Sequence, residues 1–150
     1  MRIGKGREGG NGTGAAVDSF RETNSEVNGK KQILVVDDDP LVVNVLRDPL
    51  ERAGYDVSVA YHGLEALKKV KEHTPDLIIL DILMPLLDGF KVARFLKFDK
   101  RFKSIPIIVL TSRATEGERK MGEKVGADEY IFKPFRPLHI VDVVQRYLNA

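Results

Sequence analysis

Cysteine is absent from the sequence, which excludes a disulfide framework and thiolate metal sites and agrees with a reducing compartment. Also missing is any apolar run near the roughly 18 to 20 residues that a membrane-spanning helix needs, and the N-terminus has no apolar core of a secretory signal. Membrane insertion is therefore not expected, and the cytoplasm is the expected location. The chain has little surplus charge. Its formal +2 comes from Met1 to Lys31, with six Lys or Arg against four Asp or Glu, while the remaining residues carry 18 of each sign. A neutral body has no general field to attract phosphate backbones, so direct DNA binding is not expected.

What is present fits one globular domain: 150 residues, 43% hydrophobic and 31% charged. Residues 1–30 read as a disordered Gly-rich extension. By Gly29 the chain has used seven of its 13 glycines, and its few apolar residues there cannot offset the entropy of ordering. Residues 31–150 read as the folded domain.

From Lys31 onward, short β-branched runs alternate with stretches of helical period, the pattern of a parallel sheet with crossover helices. The strands are expected at Gln32 to Val36, Asp56 to Ala60, Leu77 to Leu80, Pro106 to Leu110 and Glu129 to Phe132. Helices are expected at about Pro40 to Ala53, Gly63 to Glu72, Gly89 to Lys97, Thr115 to Val125 and Pro137 to Leu148. Asp39 and Pro40 form a good helix start, and Gly54 a stop. Pro49 predicts a kink or an early end in the first helix. The fourth helix, crowded with charge, predicts weak anchoring.

In a parallel α/β sheet, ligand groups collect at the carboxyl ends of the strands. Those ends carry Asp37-Asp38-Asp39, Asp81, Thr111-Ser112 and Lys133-Pro134. Clustered carboxylates repel by about 4 kcal/mol per pair at 4 Å with an effective dielectric of 20, so they need a cation or raised pKa values. Oxygen ligands without His or Cys favour magnesium or calcium. Asp39 is better explained as a helix cap than as a ligand. Four of the five strands thus end in a residue suited to phosphoryl transfer.

Several linked motifs carry a resemblance. Ile33-Leu34-Val35-Val36-Asp37-Asp38, Leu77-Ile78-Ile79-Leu80-Asp81-Ile82-Leu83-Met84-Pro85 with Asp88-Gly89, Ile107-Ile108-Val109-Leu110-Thr111-Ser112, and Gly126-Ala127-Asp128-Glu129-Tyr130-Ile131-Phe132-Lys133-Pro134-Phe135 resemble, in order and spacing, the bacterial response-regulator receiver domain of the stand-alone, chemotaxis-regulator-like type. The resemblance implies a doubly wound α/β fold, five parallel strands in the flavodoxin-like order 2-1-3-4-5 with five helices. It implies Asp81 as phosphoacceptor, and magnesium, with manganese as a substitute, held by Asp37, Asp38, Asp81 and the backbone carbonyl of Leu83. Lys133 would pair with a phosphoryl oxygen, its approach fixed by a cis bond to Pro134, while Thr111 and Tyr130 would act as the switch pair. Such a protein catalyses its own phosphorylation and slow dephosphorylation and is not a turnover enzyme. The implied partners are a sensor histidine kinase or a histidine phosphotransfer protein, and a downstream target protein bound through the fourth helix, fifth strand and fifth helix. A phosphorelay intermediate that hands its phosphoryl group to a histidine phosphotransfer protein is the alternative. Leu83 stands where a polar side chain is common in the family, and Ser112 where alanine or glycine is usual. An apolar Leu83 cannot orient an attacking water, so slow self-hydrolysis is expected, with Arg113 as a further shield.

Other classes fit less well. A haloacid-dehalogenase-like phosphatase would need a second aspartate two residues after its nucleophile, where Leu83 follows Asp81. A flavodoxin-like redox protein would need a phosphate-cradling loop after the first strand, where Asp37-Asp38-Asp39 would repel a flavin phosphate. The basic cluster from Lys91 to Lys103 reads as a solvated helix face able to meet an acidic partner, and His62, His73 and His139 show no metal spacing.

Overall fold

The computed structural model describes residues 29–82, 89–111, 120 and 126–149. Five parallel strands form one sheet: β1 (Gln32–Val36), β2 (Asp56–Ala60), β3 (Leu77–Asp81), β4 (Ile107–Thr111) and β5 (Glu129–Phe132), in the order β2-β1-β3-β4-β5. Four helices lie among the described residues: α1 (Pro40–Arg52), α2 (Gly63–Glu72), α3 (Gly89–Phe98) and α4 (Pro137–Leu148). The helix expected at Thr115 to Val125 falls outside the described residues apart from Lys120, which is helical. So does the N-terminal extension up to residue 28.

The apolar runs explain the layering. All five residues of β3 and of β4 are buried, as continuous hydrophobic strands require when both sheet faces are covered. Along β3, Ile78 and Leu80 enter one core with Val70, Val92 and Leu96, while Leu77 and Ile79 enter the other with Val43, Leu46 and Val144. Helices α2 and α3 therefore cover one face, and α1 and α4 the other. Truncating any of these β3 side chains to alanine is worth about 2–5 kcal/mol.

Local signals act as expected at α1. Asp39 Oδ1 accepts a hydrogen bond from the Leu41 amide at 3.0 Å, Pro40 occupies the first turn, and Gly54 adopts φ +103° just past the end. Pro49, however, does not end the helix, which runs on to Arg52. The carbonyl left without its helical donor belongs to Val45, whose residue is 48% exposed, so water can serve it on the outer face. His62 caps α2, its Nδ1 accepting from the Glu65 amide at 3.2 Å.

At the edge where the strands begin, the structure is tightly bound. Asp128 Oδ2 accepts from the Ile107 amide at 2.8 Å and from Lys97 Nζ at 3.0 Å. Lys97 Nζ also donates to the Ile105 carbonyl at 2.9 Å, and the Tyr147 hydroxyl donates to the Asp128 carbonyl and to Glu129 Oε1, both at 2.9 Å. Burial, and then the bond to Glu129, push the Tyr147 phenol up to about 12. An unfolded tyrosine ionises near 10, so the bonded, neutral phenol stabilises the fold fully below pH 10 and loses that contribution as pH rises toward about 12. Tyr147→Phe is expected to flatten the fall in unfolding free energy across this window, measured by denaturant titration; an unchanged slope would reject the assignment.

Candidate functional site

Register brings the acidic residues together. Val36 pairs with Leu80, so Asp37 and Asp81, the next residues of neighbouring strands, emerge side by side at the carboxyl edge. Both are buried, Asp37 at 1% and Asp81 at 4% exposure, whereas Asp38 is exposed. One carboxylate oxygen from each of Asp37, Asp38 and Asp81 lies within 4.8 Å of the other two.

Asp37 is held from several directions. Its amide donates to the Ala60 carbonyl at 3.1 Å, and its Oδ1 accepts from the Asp39 amide at 2.9 Å. Lys133 Nζ lies 3.1 Å from Asp37 Oδ2 and 3.8 Å from Asp81 Oδ1. Burial raises the Asp37 carboxyl above the ordinary range, opposed by the Asp39 amide and by Lys133.

The donor set suits a hard divalent cation. Among the described residues three carboxylates gather beside one lysine, which pairs with Asp37 and Asp81, so negative charge is in excess when all three are ionised. The ligand atoms are all oxygens, the chemistry magnesium prefers. Burial of Asp37 beside two other carboxylates, with Lys133 shared between it and Asp81, is a cost that a bound cation reduces.

Strands β4 and β5 supply the rest. Thr111, 0% exposed, pairs with Phe132, and Val109 with Tyr130, so Thr111 and Tyr130 point to the same sheet face. The half-buried Tyr130 packs against the core that holds Val109, and its ring meets Phe132 edge-on with centroids 5.3 Å apart. The Lys133 amide donates to the Thr111 carbonyl at 2.7 Å. As expected, the Lys133–Pro134 bond is cis, and the lysine side chain reaches across to the acidic pair. Thus Asp37, Asp38 and Asp81 are gathered together with Lys133 against Asp37 and Asp81, Thr111 lies one strand away, and Asp39 serves as the cap. Leu83, Ser112 and Arg113 fall outside the described residues.

Gly89, which opens α3 as expected, also has a part in the site that its sequence position did not reveal. Its amide donates to the Ile82 carbonyl at 3.1 Å, and a Cβ built there would lie 2.4 Å from the Asp81 carbonyl oxygen and 2.5 Å from Ile82 Cα. The helix thus begins in contact with the backbone that carries Asp81. The signal available was a glycine opening a helix soon after an aspartate-terminated strand.

The family described as response regulator receiver domain matches residues 33–145. The transcriptional regulatory protein PhoP for alkaline phosphatase synthesis, from Bacillus subtilis, is 46% identical over 73% of this chain, which spans only 45% of PhoP's length. The polar-differentiation response regulator DivK from Brucella anthropi is 35% identical over 79% of this chain and 97% of its own. Among solved structures, the receiver domain of the sensor histidine kinase PA1611 from Pseudomonas aeruginosa, with a magnesium ion coordinated in its active-site cleft, superimposes with a TM-score of 0.74 at 29% identity, covering 81% of this chain and 99% of that one. Receiver domains of two-component systems accept a phosphoryl group on aspartate, bind magnesium in an acidic site, and interact with histidine kinases and downstream targets; in general they are response regulators and not turnover enzymes. The chain belongs to this family, the response regulator receiver domains.

Proposed function

We propose that residues 31–150 work as a phosphorylation switch in which Asp81 is the phosphoacceptor, and that the phosphorylated form controls a partner protein. The observation that carries this reading is the meeting of a buried Asp81 with Asp37, Asp38 and Lys133 at the carboxyl edge of the sheet. An Asp81 carboxylate oxygen attacks the phosphorus of a donor phosphohistidine; the P–N bond breaks, its electron pair leaves with the imidazole, and an acyl phosphate remains. Asp37, Asp38, Asp81 and the Leu83 backbone carbonyl would hold magnesium, with manganese as a substitute, which when bound supplies positive charge to the phosphoryl oxygens. Lys133, already within 3.8 Å of Asp81, takes one phosphoryl oxygen. Thr111 donates its hydroxyl to another, and Tyr130, on the same sheet face, takes up the space that Thr111 leaves. The added charge of about −1.5 to −2 biases this two-state element.

Incubation with magnesium and acetyl phosphate or phosphoramidate, followed by intact-mass measurement, is expected to show one phosphoryl adduct. No adduct from several such donors would overturn the reading. An adduct that a histidine phosphotransfer protein discharges would favour relay over output. With Leu83 in place of a polar residue, the adduct is expected to persist for minutes or longer; decay within seconds would reject slow self-hydrolysis.

Metal binding has its own signature. Magnesium at ten times its dissociation constant is expected to stabilise the fold by about 1.4 kcal/mol, a rise of roughly 4–8 °C in the unfolding midpoint for a domain of this size. Asp37→Asn should abolish most of that rise in a thermal scan; a full rise in the variant would place the ion elsewhere.

A further inference from the structure

Helix α3 buries Gly89, Val92, Ala93 and Leu96 against the sheet and turns a second stripe outward. On it Phe98 is 76% and Phe95 38% exposed. With Lys91 and Arg94 they stand at i, i+3, i+4 and i+7, the spacing of one helix face. Burial of such a ring is favourable, so two on one face hold binding energy that the folded domain leaves unused. Each ring already carries a cation: Lys71 Nζ of α2 lies 5.2 Å from the Phe95 centroid, and the Arg94 guanidinium 5.7 Å from that of Phe98. Lys91, Arg94, Phe95, Phe98 and Asp99 line an open hollow of about 490 Å³.

Positive charge is concentrated in the same stretch of chain, and Lys91 and Arg94 stand on this face. Residues 91–103 contain six Lys or Arg and one acid, a net +5, while residues 32–150 as a whole sum to zero. The one acid is already engaged: Asp99 pairs with Arg101 at 2.8 Å, and the hydrogen bonds from Arg101 hold its carboxyl below the usual range. Lys97 turns away to Asp128. Among the described residues no ion pair holds Arg94, Lys100 or Lys103.

We infer that this α2–α3 face docks an acidic amphipathic peptide segment of a partner protein, an apolar side chain entering the hollow while carboxylates meet Lys71, Lys91 and Arg94 around it. Such a ligand completes the charges without disturbing either cation–ring contact. A nucleic acid would stack its bases on rings that cations already cover, and the neutral body offers no long-range field to draw it in. A membrane would need apolar groups projecting beyond the cations, whereas these rings line a hollow between them. The face is separate from Asp81 and Lys133, so the inference stands or falls independently of the phosphoryl reading.

The test is an amide NMR titration of the full chain with a short synthetic peptide that alternates glutamate and leucine at helical spacing. Shifts are expected to concentrate on residues 68–71 and 91–103. Affinity should fall about tenfold or more for Arg94→Glu, for Phe98→Ser, and for the peptide with serine in place of leucine. The spectra of these exposed-site variants report directly whether the fold is kept. Shifts centred elsewhere, or affinity indifferent to Phe98→Ser or to loss of the leucines, would overturn the inference. So would tighter binding of anionic phosphatidylglycerol vesicles or of single-stranded oligothymidylate that the same variants abolish.

Discussion

Asp81→Asn is expected to give no phosphoryl adduct with any small donor, a loss of about three orders of magnitude or more in the rate of labelling, because an amide oxygen is a far weaker nucleophile than a carboxylate. The fold should survive the change. Asp81 sits within 4.8 Å of two other carboxylate ligand atoms, each pair repelling by about 3.5 kcal/mol at an effective dielectric of 20, against about 4 kcal/mol of attraction to Lys133 at 3.8 Å. Among the described residues, removing its charge relieves two repulsions and gives up one charge attraction, so without magnesium the variant is expected to remain folded. Intact mass and a thermal scan on one preparation check both halves. An adduct that persists in a well-folded Asp81→Asn would move the phosphoacceptor to another residue.

Gly89→Ala is expected to damage fold and chemistry together. Helix propensity alone would favour alanine by about 1 kcal/mol, and Gly89 is not among the glycines with positive φ. The obstacle is steric. The new methyl would meet the Asp81 carbonyl oxygen at 2.4 Å and Ile82 Cα at 2.5 Å, backbone atoms at the end of a buried strand and of the buried residue after it, which cannot rotate away as a side-chain tip can. Overpacking of this kind costs typically 1–3 kcal/mol, and contact with rigid backbone puts it at the upper end, about 3 kcal/mol before the propensity gain. The strain falls on the residue that carries the acidic site, so magnesium affinity should weaken along with stability. Gly126→Ala, whose Cβ would meet the Lys97 side chain at 3.6 Å, is the control: strained by its φ of +84° and placed before the starting end of β5, it should lower stability and leave magnesium affinity unchanged. A Gly89→Ala protein with parental stability and magnesium affinity would reject the argument.

Much of this arrangement could be read from residues alone. Strand positions followed from β-branched runs, and the gathering of Asp37, Asp81, Thr111 and Lys133 at one edge followed from their places at strand ends. The order of the strands did not; it came through the likeness of the motifs to a known family, since the hydrophobic pattern of β1 would serve an edge strand as well as a central one. The early end that Pro49 allowed for did not occur, because the freed carbonyl lies on the side of the helix that faces water, and which side that is depends on tertiary packing. The contact between Gly89 and the Asp81 backbone could not be read because glycine gives no sign of whether it serves a turn or a close approach. Nor could the bond between Lys97 and Asp128, 31 positions apart, since either residue alone looks like ordinary surface charge.

That bond and its neighbours set how β4 and β5 can bear a load. Their starting ends are tied to α3 and α4 through Asp128, which holds Lys97 and the Ile107 amide by its carboxylate and Tyr147 by its carbonyl. At the opposite end lie Thr111 and Lys133, linked by one backbone hydrogen bond between residues 133 and 111. Between these ends β4 is paired with β3 on one side and β5 on the other, so the carboxyl edge that carries Thr111 and the starting edge held by Asp128 are joined through one continuous ladder, and a load placed on one edge is borne by the anchors of the other.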